Sequence, residues 1–496
     1  MPDDSKTLFK KGVPWSVIGS VINKITWIPT IMILARNLSS RDFGLIAMAT
    51  SATHIIALLG NVGVNAFIVQ KKRVTLEYFN ACFWLNTLVL ICIGILIIIF
   101  SYPLSIFFNE NVIISISYII GIKTMMSSLN SIHTAILYKK LQIKKITIRE
   151  MIVQSIKNFL MICMALSGFG VYSLIIPDLI VSPLRTLISW YLVDFRPTLH
   201  LNMKCWKKIW NYGKHILSVQ LFSYLKANAD YLIIGKMLGA EQLGFYKMAY
   251  TKGGIISQPI HEFIGYNTFP LFSSLKTNLQ NLKSVFLKII LRTYFIGISI
   301  MIFLIFWSKH FIIFFLGDKW LIIRYPFIIF LILNIFILIK DPWNKMIRAL
   351  GRPDLQSKFL FFELSTIIPV IMITAKYGIV YVAIGITLVN LLFLVISILK
   401  FNELLNLKIK RYILTFKHII IFSCIIIIYS LLLKNIFNFF IDNLSIQFVL
   451  SSVIFVVFFL IYTKYYINEI FLNFIEILCI VKKYIIHLYS KLYSIY

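Results

Sequence analysis

Charged side chains within long apolar segments are the residues of this sequence that could do chemistry. Lys226 and Asp230 stand four positions apart in one such segment, so on a helix they share a face. Two interpretations follow from this spacing. The pair neutralises itself, or it forms a switch in which an anionic ligand attracts Lys226 and releases Asp230 to exchange a proton.

Further ionisable residues occur at a similar depth in the apolar segments. A basic residue facing lipid at the bilayer centre costs roughly 2.5 to 3.5 kcal/mol, so most of these residues must face water, pair with acids or extend to the membrane surface. Asp178 and Arg185, seven positions apart, are expected to form an ion pair on one helix face. The cations predicted to line a cavity are Lys24, Lys123, Lys226, Lys252 and Arg185, with Asp230 as the predicted charge switch.

The excess of bases over acids among these residues predicts an anionic substrate. Because the cavity would lie in the membrane, a lipid-linked substrate is expected, and a diphosphate between sugar and lipid is a natural ligand for Lys and Arg. No catalytic motif accompanies these charges: His261-Glu262 is followed by Gly265 where a zinc-binding helix would need a second histidine. The sequence also lacks the G-x-x-x-x-G-K phosphate loop. We therefore expect neither an enzyme nor an ATP-driven pump.

The composition indicates a multi-pass membrane protein. Of 496 residues, 59% are hydrophobic and only 14% charged, and the mean hydropathy is +0.86, values that exclude an ordinary soluble domain. The net charge of +30 would suggest nucleic acid as the partner of a soluble protein. Here most Lys and Arg fall in segments on one side of the predicted helices, which places both termini in the cytoplasm and predicts anionic lipid headgroups, not nucleic acid, as partners.

Apolar runs of membrane-spanning length predict an all-α polytopic protein with about 14 transmembrane helices. The first six runs are 13–34, 43–69, 81–100, 112–137, 151–168 and 170–192. The next six are 213–238, 244–264, 288–307, 322–344, 358–376 and 378–400, and the last two are 413–433 and 446–464.

An internal repeat relates the first six predicted helices to the second six. Arg36, Leu38, Phe43, Gly44, Met48 and Ala49 recur 200 positions later as Lys236, Leu238, Leu243, Gly244, Met248 and Ala249. A six-helix unit returns to the side where it started, so the two copies form a parallel repeat with a substrate site expected between them. Between Lys226 and Ala249 the pattern predicts two helices joined by a short hinge that contains glycine.

The repeat divides the chain into two lobes and three further segments. The predicted parts are an N-lobe at 1–192, a cytoplasmic interfacial linker at 193–212, a C-lobe at 213–400, two more helices at 401–464 and an amphipathic tail at 465–496. The tail is expected to lie on the inner leaflet, and a docking helix for partner enzymes is the alternative.

The sequence resembles bacterial oligosaccharide flippases of the multidrug/oligosaccharidyl-lipid/polysaccharide (MOP) superfamily, in particular WzxC-type colanic acid or lipopolysaccharide exporters. The resemblance rests on R-N-L-S-S-R-D-F-G-L-I-A-M-A from Arg36, on A-D-Y-L-I-I-G-K-M-L-G-A-E-Q-L-G-F-Y-K-M-A from Ala229, and on the plan of six, six and two helices. Asp230 stands at a usual position of the family motif. The resemblance covers about Lys11 to Lys464 and leaves the tail unexplained.

The resemblance implies two helical lobes around a central cavity that opens alternately to cytoplasm and periplasm. It implies transport of undecaprenyl-diphosphate-linked repeat units across the bacterial inner membrane. The expected energy source is a proton or other cation gradient, with no cofactor. Polysaccharide polymerase and glycosyltransferases are the expected protein partners. Two alternatives stay open. A drug or cation antiporter of the same superfamily would need an acid-rich cavity. A membrane glycosyltransferase or polymerase would need a larger acceptor-binding domain outside the cytoplasm.

Overall fold

The computed structural model shows an all-helical protein. It describes residues 3–60, 64, 68, 74–199, 203–255, 257, 268, 271–275, 278–405 and 409–466, and every regular element within these ranges is a helix. Two parts of the sequence interpretation, the His261-Glu262 pair and the amphipathic tail beyond residue 466, lie outside the described residues.

Fourteen α-helical elements are described. The first seven are α1 (Asp3–Asn37), α2 (Ser40–Leu59), α3 (Leu76–Phe108), α4 (Val112–Lys139), α5 (Ile143–Leu166), α6 (Ile176–Leu192) and α7 (Met203–Gly253). The others are α8 (Leu279–Phe306), α9 (Ser308–Phe315), α10 (Arg324–Ala349), α11 (Pro353–Ala375), α12 (Ile379–Leu405), α13 (Ile409–Phe440) and α14 (Leu444–Tyr466). Short 3₁₀ helices at Gly170–Leu174 and Asp318–Ile323 precede α6 and α10.

Within the described ranges, 11 helical stretches are long and apolar enough to cross a membrane. This confirms the prediction of an all-α, multi-pass membrane protein, while the total of fourteen spans stays a prediction. Several helices, among them α1, α3 and α5, also extend beyond the apolar runs that predicted them, because polar residues at helix ends continue the helix into the headgroup region. The fifth predicted helix, for example, was expected to start at residue 151, but α5 starts at Ile143.

The described chain forms two compact units. Unit 1 comprises Met1–Met248 together with Thr366–Gly385, and unit 2 comprises Ala249–Ser365 together with Ile386–Tyr496. The boundary between Met248 and Ala249 falls inside α7. Most of the charged residues considered above belong to unit 1.

The predicted hinge in α7 is confirmed and lies at Gly239. This residue has φ 80° and ψ 178°, which interrupts the helix between Met203 and Gly253. Apart from its own chain neighbours, no atom of the described residues lies within 4 Å of the position that a Cβ would occupy on Gly239. The glycine is therefore required by its backbone conformation, which L-residues rarely adopt, and not by crowding.

The helix after this hinge crosses α2 at very short range within unit 1. A Cβ on Gly44 would lie 1.7 Å from the carbonyl oxygen of Ala240, and a Cβ on Gly244 would lie 1.8 Å from that of Ser40. The contact is reciprocal, since Ser40 and Ala240, like Gly44 and Gly244, are 200 positions apart. The start of α2 is fixed by a capping box between Ser39 and Asp42. Equivalent positions of the two sequence copies therefore meet at this crossing within unit 1.

Candidate functional site

Three neighbouring helices of unit 1 separate their apolar and polar residues onto different faces. On each of α4, α5 and α6, one face carries exposed apolar side chains, and the polar residues lie more than a quarter turn away. The exposed apolar residues are Tyr118, Ile122 and Leu129, then Ile148, Ile152 and Phe159, then Ile180, Leu187 and Tyr191. The polar residues are Lys123, Asn130 and Thr134, then Glu150, Gln154 and Lys157, then Asp178, Arg185 and Ser189. The apolar faces suit lipid, so the charged residues turn toward the interior of unit 1.

The first group on these interior faces is a lysine cluster, formed by Lys123, Lys157 and Asp178. The Asp178 carboxylate accepts from Lys123 Nζ at 3.0 Å and from Lys157 Nζ at 2.8 Å. The Lys123 side chain is 35% exposed and the other two are about half as exposed. One carboxylate thus holds two ammonium groups, and the cluster keeps a surplus of positive charge.

The second group is an arginine cluster, formed by Arg149, Glu150 and Arg185. The Glu150 carboxylate accepts from Arg149 Nη2 at 2.7 Å and from Arg185 Nη2 at 3.1 Å. Arg149 is 2% exposed, and its Nη1 also donates to the hydroxyls of Ser189 at 2.7 Å and Thr134 at 2.9 Å. Arg185 is 30% exposed, and its Nε has no hydrogen-bond partner among the described residues. Arg149 is therefore held in place, whereas Arg185 pairs with Glu150 and keeps part of its side chain exposed.

The predicted ion pair between Asp178 and Arg185 is wrong. These residues are two helical turns apart on α6, about 10 Å along the axis, which is too far for a direct contact. Each instead pairs with residues of neighbouring helices: Asp178 with Lys123 and Lys157, and Arg185 with Glu150. The shared face was predicted correctly, but the partners come from other helices.

Asp230 lies in a second polar environment of unit 1, on α7 before the hinge. It is buried and accepts from the Tyr246 hydroxyl at 2.7 Å and from the Tyr231 backbone N–H at 2.9 Å. Tyr246 is fully buried and follows Gly239 in the chain, so this hydrogen bond spans the hinge. A carboxylate that holds both sides of a hinge is well placed to couple its own charge state to the conformation of α7.

The remaining predicted cavity residues are distributed along the chain. Lys24 is exposed on α1, close to the exposed apolar residues Val21 and Ile25, and joins neither cluster. Lys226 is half-buried one turn before Asp230, and Lys252 is buried in unit 2. The structure thus brings Lys123 and Arg185 into charged clusters, and a substrate contact by any of the five cations stays a prediction.

Unit 2 contains a buried ion pair of its own. Lys340 Nζ donates to Glu363 Oε2 at 2.8 Å, and the ammonium lies 5.8 Å from the centre of the Phe393 ring. Both charged residues are buried, Glu363 with 2% of its surface exposed. Removing one partner of a buried pair leaves the other charge uncompensated and costs about 3 to 5 kcal/mol, whereas an apolar replacement of both is often neutral.

We therefore expect Glu363→Gln and Lys340→Met each to lower the thermal midpoint of the purified protein in detergent. The double variant Lys340→Met/Glu363→Leu is expected to recover most of that loss. Arg352→Ala is the matched control, because its ion pair with Asp354 is exposed and solvent screens it, so little stability is lost with it. Losses that simply add in the double variant would contradict a mutually compensating pair.

Three residues of these sites were missed in the sequence. Arg149 and Glu150 precede the apolar run of α5 and were assigned to a loop, and Tyr246 carries no charge that would draw attention to it. A usable signal existed for Glu150, since it stands seven positions before Lys157 and opposite the apolar stripe of α5. No comparable signal points to Tyr246, because its hydrogen bond depends on the bend at Gly239.

The all-helical, multi-pass fold of this chain is shared by solved structures of membrane transporters. The inward-closed lipid II flippase MurJ superposes with a TM-score of 0.67 at 16% identity, covering 91% of this chain and 99% of its own. An inward-facing MATE multidrug resistance transporter of the MOP superfamily superposes with a TM-score of 0.61 at 14% identity, covering 80% of this chain and 98% of its own. At such identities the likeness establishes the fold alone.

The chain belongs to the family described as "Polysaccharide biosynthesis protein", which matches residues 33–324. It is 22% identical to the lipopolysaccharide biosynthesis protein WzxC of Escherichia coli K12 over 411 residues, which is 82% of this chain and 83% of WzxC. It is also 22% identical to the teichuronic acid biosynthesis protein TuaB of Bacillus subtilis 168, covering 72% of this chain and 74% of TuaB. The succinoglycan biosynthesis transport protein ExoT of Rhizobium meliloti 1021 is 22% identical over 53% of this chain and 54% of its own length.

Proposed function

We propose that this protein moves undecaprenyl-diphosphate-linked oligosaccharide units from the cytoplasmic to the periplasmic leaflet of the bacterial inner membrane. It does so by alternating access and without covalent change to the substrate, with both of its termini in the cytoplasm. The transported units serve lipopolysaccharide O-antigen, capsule or exopolysaccharide synthesis, in which glycosyltransferases supply the substrate and a polymerase consumes it. A proton or other cation gradient supplies the energy.

One observation supports this proposal more than any other: unit 1 carries a surplus of positive charge on its interior faces. The lysine and arginine clusters each hold two cations for one carboxylate, and Lys123 and Arg185 keep about a third of their surfaces exposed. A diphosphate between a lipid and a sugar is an anion that such groups bind well. A cationic drug would be repelled by the same groups. The relatives named for polysaccharide biosynthesis, and the MurJ structure named as a lipid II flippase, agree with this choice of substrate.

Reconstitution tests the proposal directly. Vesicles that contain the purified protein are expected to move a fluorescent undecaprenyl-diphosphate oligosaccharide between leaflets, measured as the fraction that a membrane-impermeant quencher can reach. The Lys123→Gln/Arg185→Gln variant is expected to be about tenfold slower, which corresponds to ~1.4 kcal/mol. Arg352→Ala, which breaks an exposed ion pair outside both clusters, is the control and should match the wild type. Failure to move any lipid-diphosphate oligosaccharide, or sugar transfer by the purified protein, would contradict the proposal.

A further inference from the structure

The two charged clusters of unit 1 lie at two successive levels along α5 and α6. On α5, Glu150 and Lys157 are seven residues apart, and on α6, Asp178 and Arg185 are also seven apart. Because α5 and α6 pair at both levels, Glu150 with Arg185 and Lys157 with Asp178, the two helices run in opposite directions with matched registers. The two clusters are therefore separated by two helical turns, about 10 Å, along the helix axes.

Both clusters have the same charge pattern. A single carboxylate lies between two cations, and each cation reaches it from a different position, either from another helix or from the neighbouring residue. A carboxylate in such a position occupies the place that an incoming phosphate oxygen would take, because both present oxygen acceptors to the same N–H donors. The acid is thus an internal competitor of an anionic ligand.

The exposure of the groups indicates where a ligand would enter. Lys123 and Arg185 keep about a third of their side-chain surfaces exposed, on faces opposite to the apolar stripes of their helices. The Nε of Arg185 is itself buried and without a hydrogen-bond partner among the residues that the structure describes, so a ligand would meet the exposed part of this side chain. Arg149 is held by Ser189, Thr134 and Glu150 and would stay in place while Arg185 turns to a ligand.

From this arrangement we infer that the arginine and lysine clusters are two successive anion-binding stations, in which Glu150 and Asp178 are counter-ions that a substrate phosphate displaces. The inference rests on the proposed function and adds to it a path within unit 1. In the proposed orientation the arginine cluster lies nearer the cytoplasm and the lysine cluster nearer the periplasm. The diphosphate binds at the first station by displacing Glu150, moves about 10 Å to the second, and leaves when Asp178 takes back its two lysines.

The consequence is that the acids make binding weaker and release faster. A station with two cations and no carboxylate would hold a diphosphate too tightly to let it go. Asp178→Asn is therefore expected to bind a diphosphate about tenfold more tightly and to release it more slowly, whereas Lys123→Gln is expected to bind about tenfold more weakly. The double variant Lys123→Gln/Asp178→Asn is expected to return close to wild-type affinity.

Calorimetric titration of the purified full-length protein with geranylgeranyl diphosphate measures these affinities, with geranylgeraniol as the uncharged comparison. Glu363→Gln is the matched control, since it removes a carboxylate from an ion pair outside both stations and should leave the affinity unchanged. In vesicles, Asp178→Asn should lower both the half-saturating substrate concentration and the maximal rate. A variant that merely lost a structural ion pair would lose thermal stability with its half-saturating concentration unchanged.

Three outcomes separate the inference from the function on which it rests. Tighter binding by Asp178→Asn with a slower maximal rate supports the stations. Wild-type binding of the diphosphate with unchanged or weaker binding by folded Asp178→Asn overturns the stations and leaves the proposed function standing. No binding of the diphosphate by the wild type also overturns the stations, whereas the proposed function is overturned only if vesicles move no lipid-diphosphate oligosaccharide. If Asp178→Asn does not fold, Glu150→Gln carries the same test at the arginine cluster.

Discussion

Replacing Gly44 with alanine is expected to lower the thermal midpoint of the protein and to reduce transport by about tenfold or more. The added Cβ would lie 1.7 Å from the carbonyl oxygen of Ala240, well inside any allowed contact. The atom that it meets is a backbone atom of a helix, so no side-chain rotation relieves the clash. Overpacking of this kind typically costs 1 to 3 kcal/mol. Alanine is otherwise the better helix former by about 1 kcal/mol, so a loss of stability would oppose the intrinsic propensity.

The reciprocal contact gives this prediction a second variant and a control. Gly244→Ala should show the same defect, because its Cβ would lie 1.8 Å from the carbonyl oxygen of Ser40. Gly254→Ala is the control, since the nearest atom to its Cβ position is at an ordinary distance of 3.6 Å. Thermal unfolding in detergent and transport by reconstituted vesicles provide the two measurements. Normal stability and transport by both Gly44→Ala and Gly244→Ala would show that the helices separate at no cost.

Asp230→Asn is expected to accumulate normally and to reduce transport by about tenfold or more. Asparagine keeps one oxygen to accept from the Tyr231 N–H, and its amide can donate to the Tyr246 hydroxyl oxygen, so a hydrogen bond across the hinge survives. What it loses is the ability to bind and release a proton. The variant therefore separates a role in proton exchange from a role in holding α7 together, and we propose that the first role dominates.

Two companion variants sharpen the test of Asp230. Tyr246→Phe removes the hydrogen bond and keeps the carboxylate; we expect it to cost about 1 to 3 kcal/mol of stability, because a buried acceptor loses its donor, and to retain most transport. Lys226→Ala removes the cation one turn away, and in a charge switch it should impair transport at a normal protein level. Unchanged transport by both Asp230→Asn and Lys226→Ala, each measured at wild-type protein levels, would refute the switch.

The sequence was sufficient to predict the all-helical membrane fold and the hinge. Apolar length carries the first directly, and a glycine between two helical segments indicates where a chain can bend. The close crossing was also visible in principle. Ser40 and Gly44, like Ala240 and Gly244, follow the small-x-x-x-small spacing that lets membrane helices approach closely.

The pairing of charges could not be predicted in the same way. Asp178 and Arg185 were placed on the right face of α6, but their partners depend on which helices adjoin α6 and how far each is rotated. The arginine cluster was hidden for a different reason. Arg149 and Glu150 form the first polar turns of α5, and hydropathy alone ends a helix where its apolar residues end.

The crossing of Ser40 and Gly44 with Ala240 and Gly244 also bears on the origin of the protein. A half-length ancestor would have made the same contact between two identical chains, as a homodimer with glycine facing backbone on both sides of a true symmetry axis. The two copies differ next to this contact, because the first reads K-I-T-W-I-P-T at residues 24–30 and has no acid in the place equivalent to Asp230. The crossing is thus common to both copies, whereas the carboxylate that holds the hinge belongs to the second copy alone.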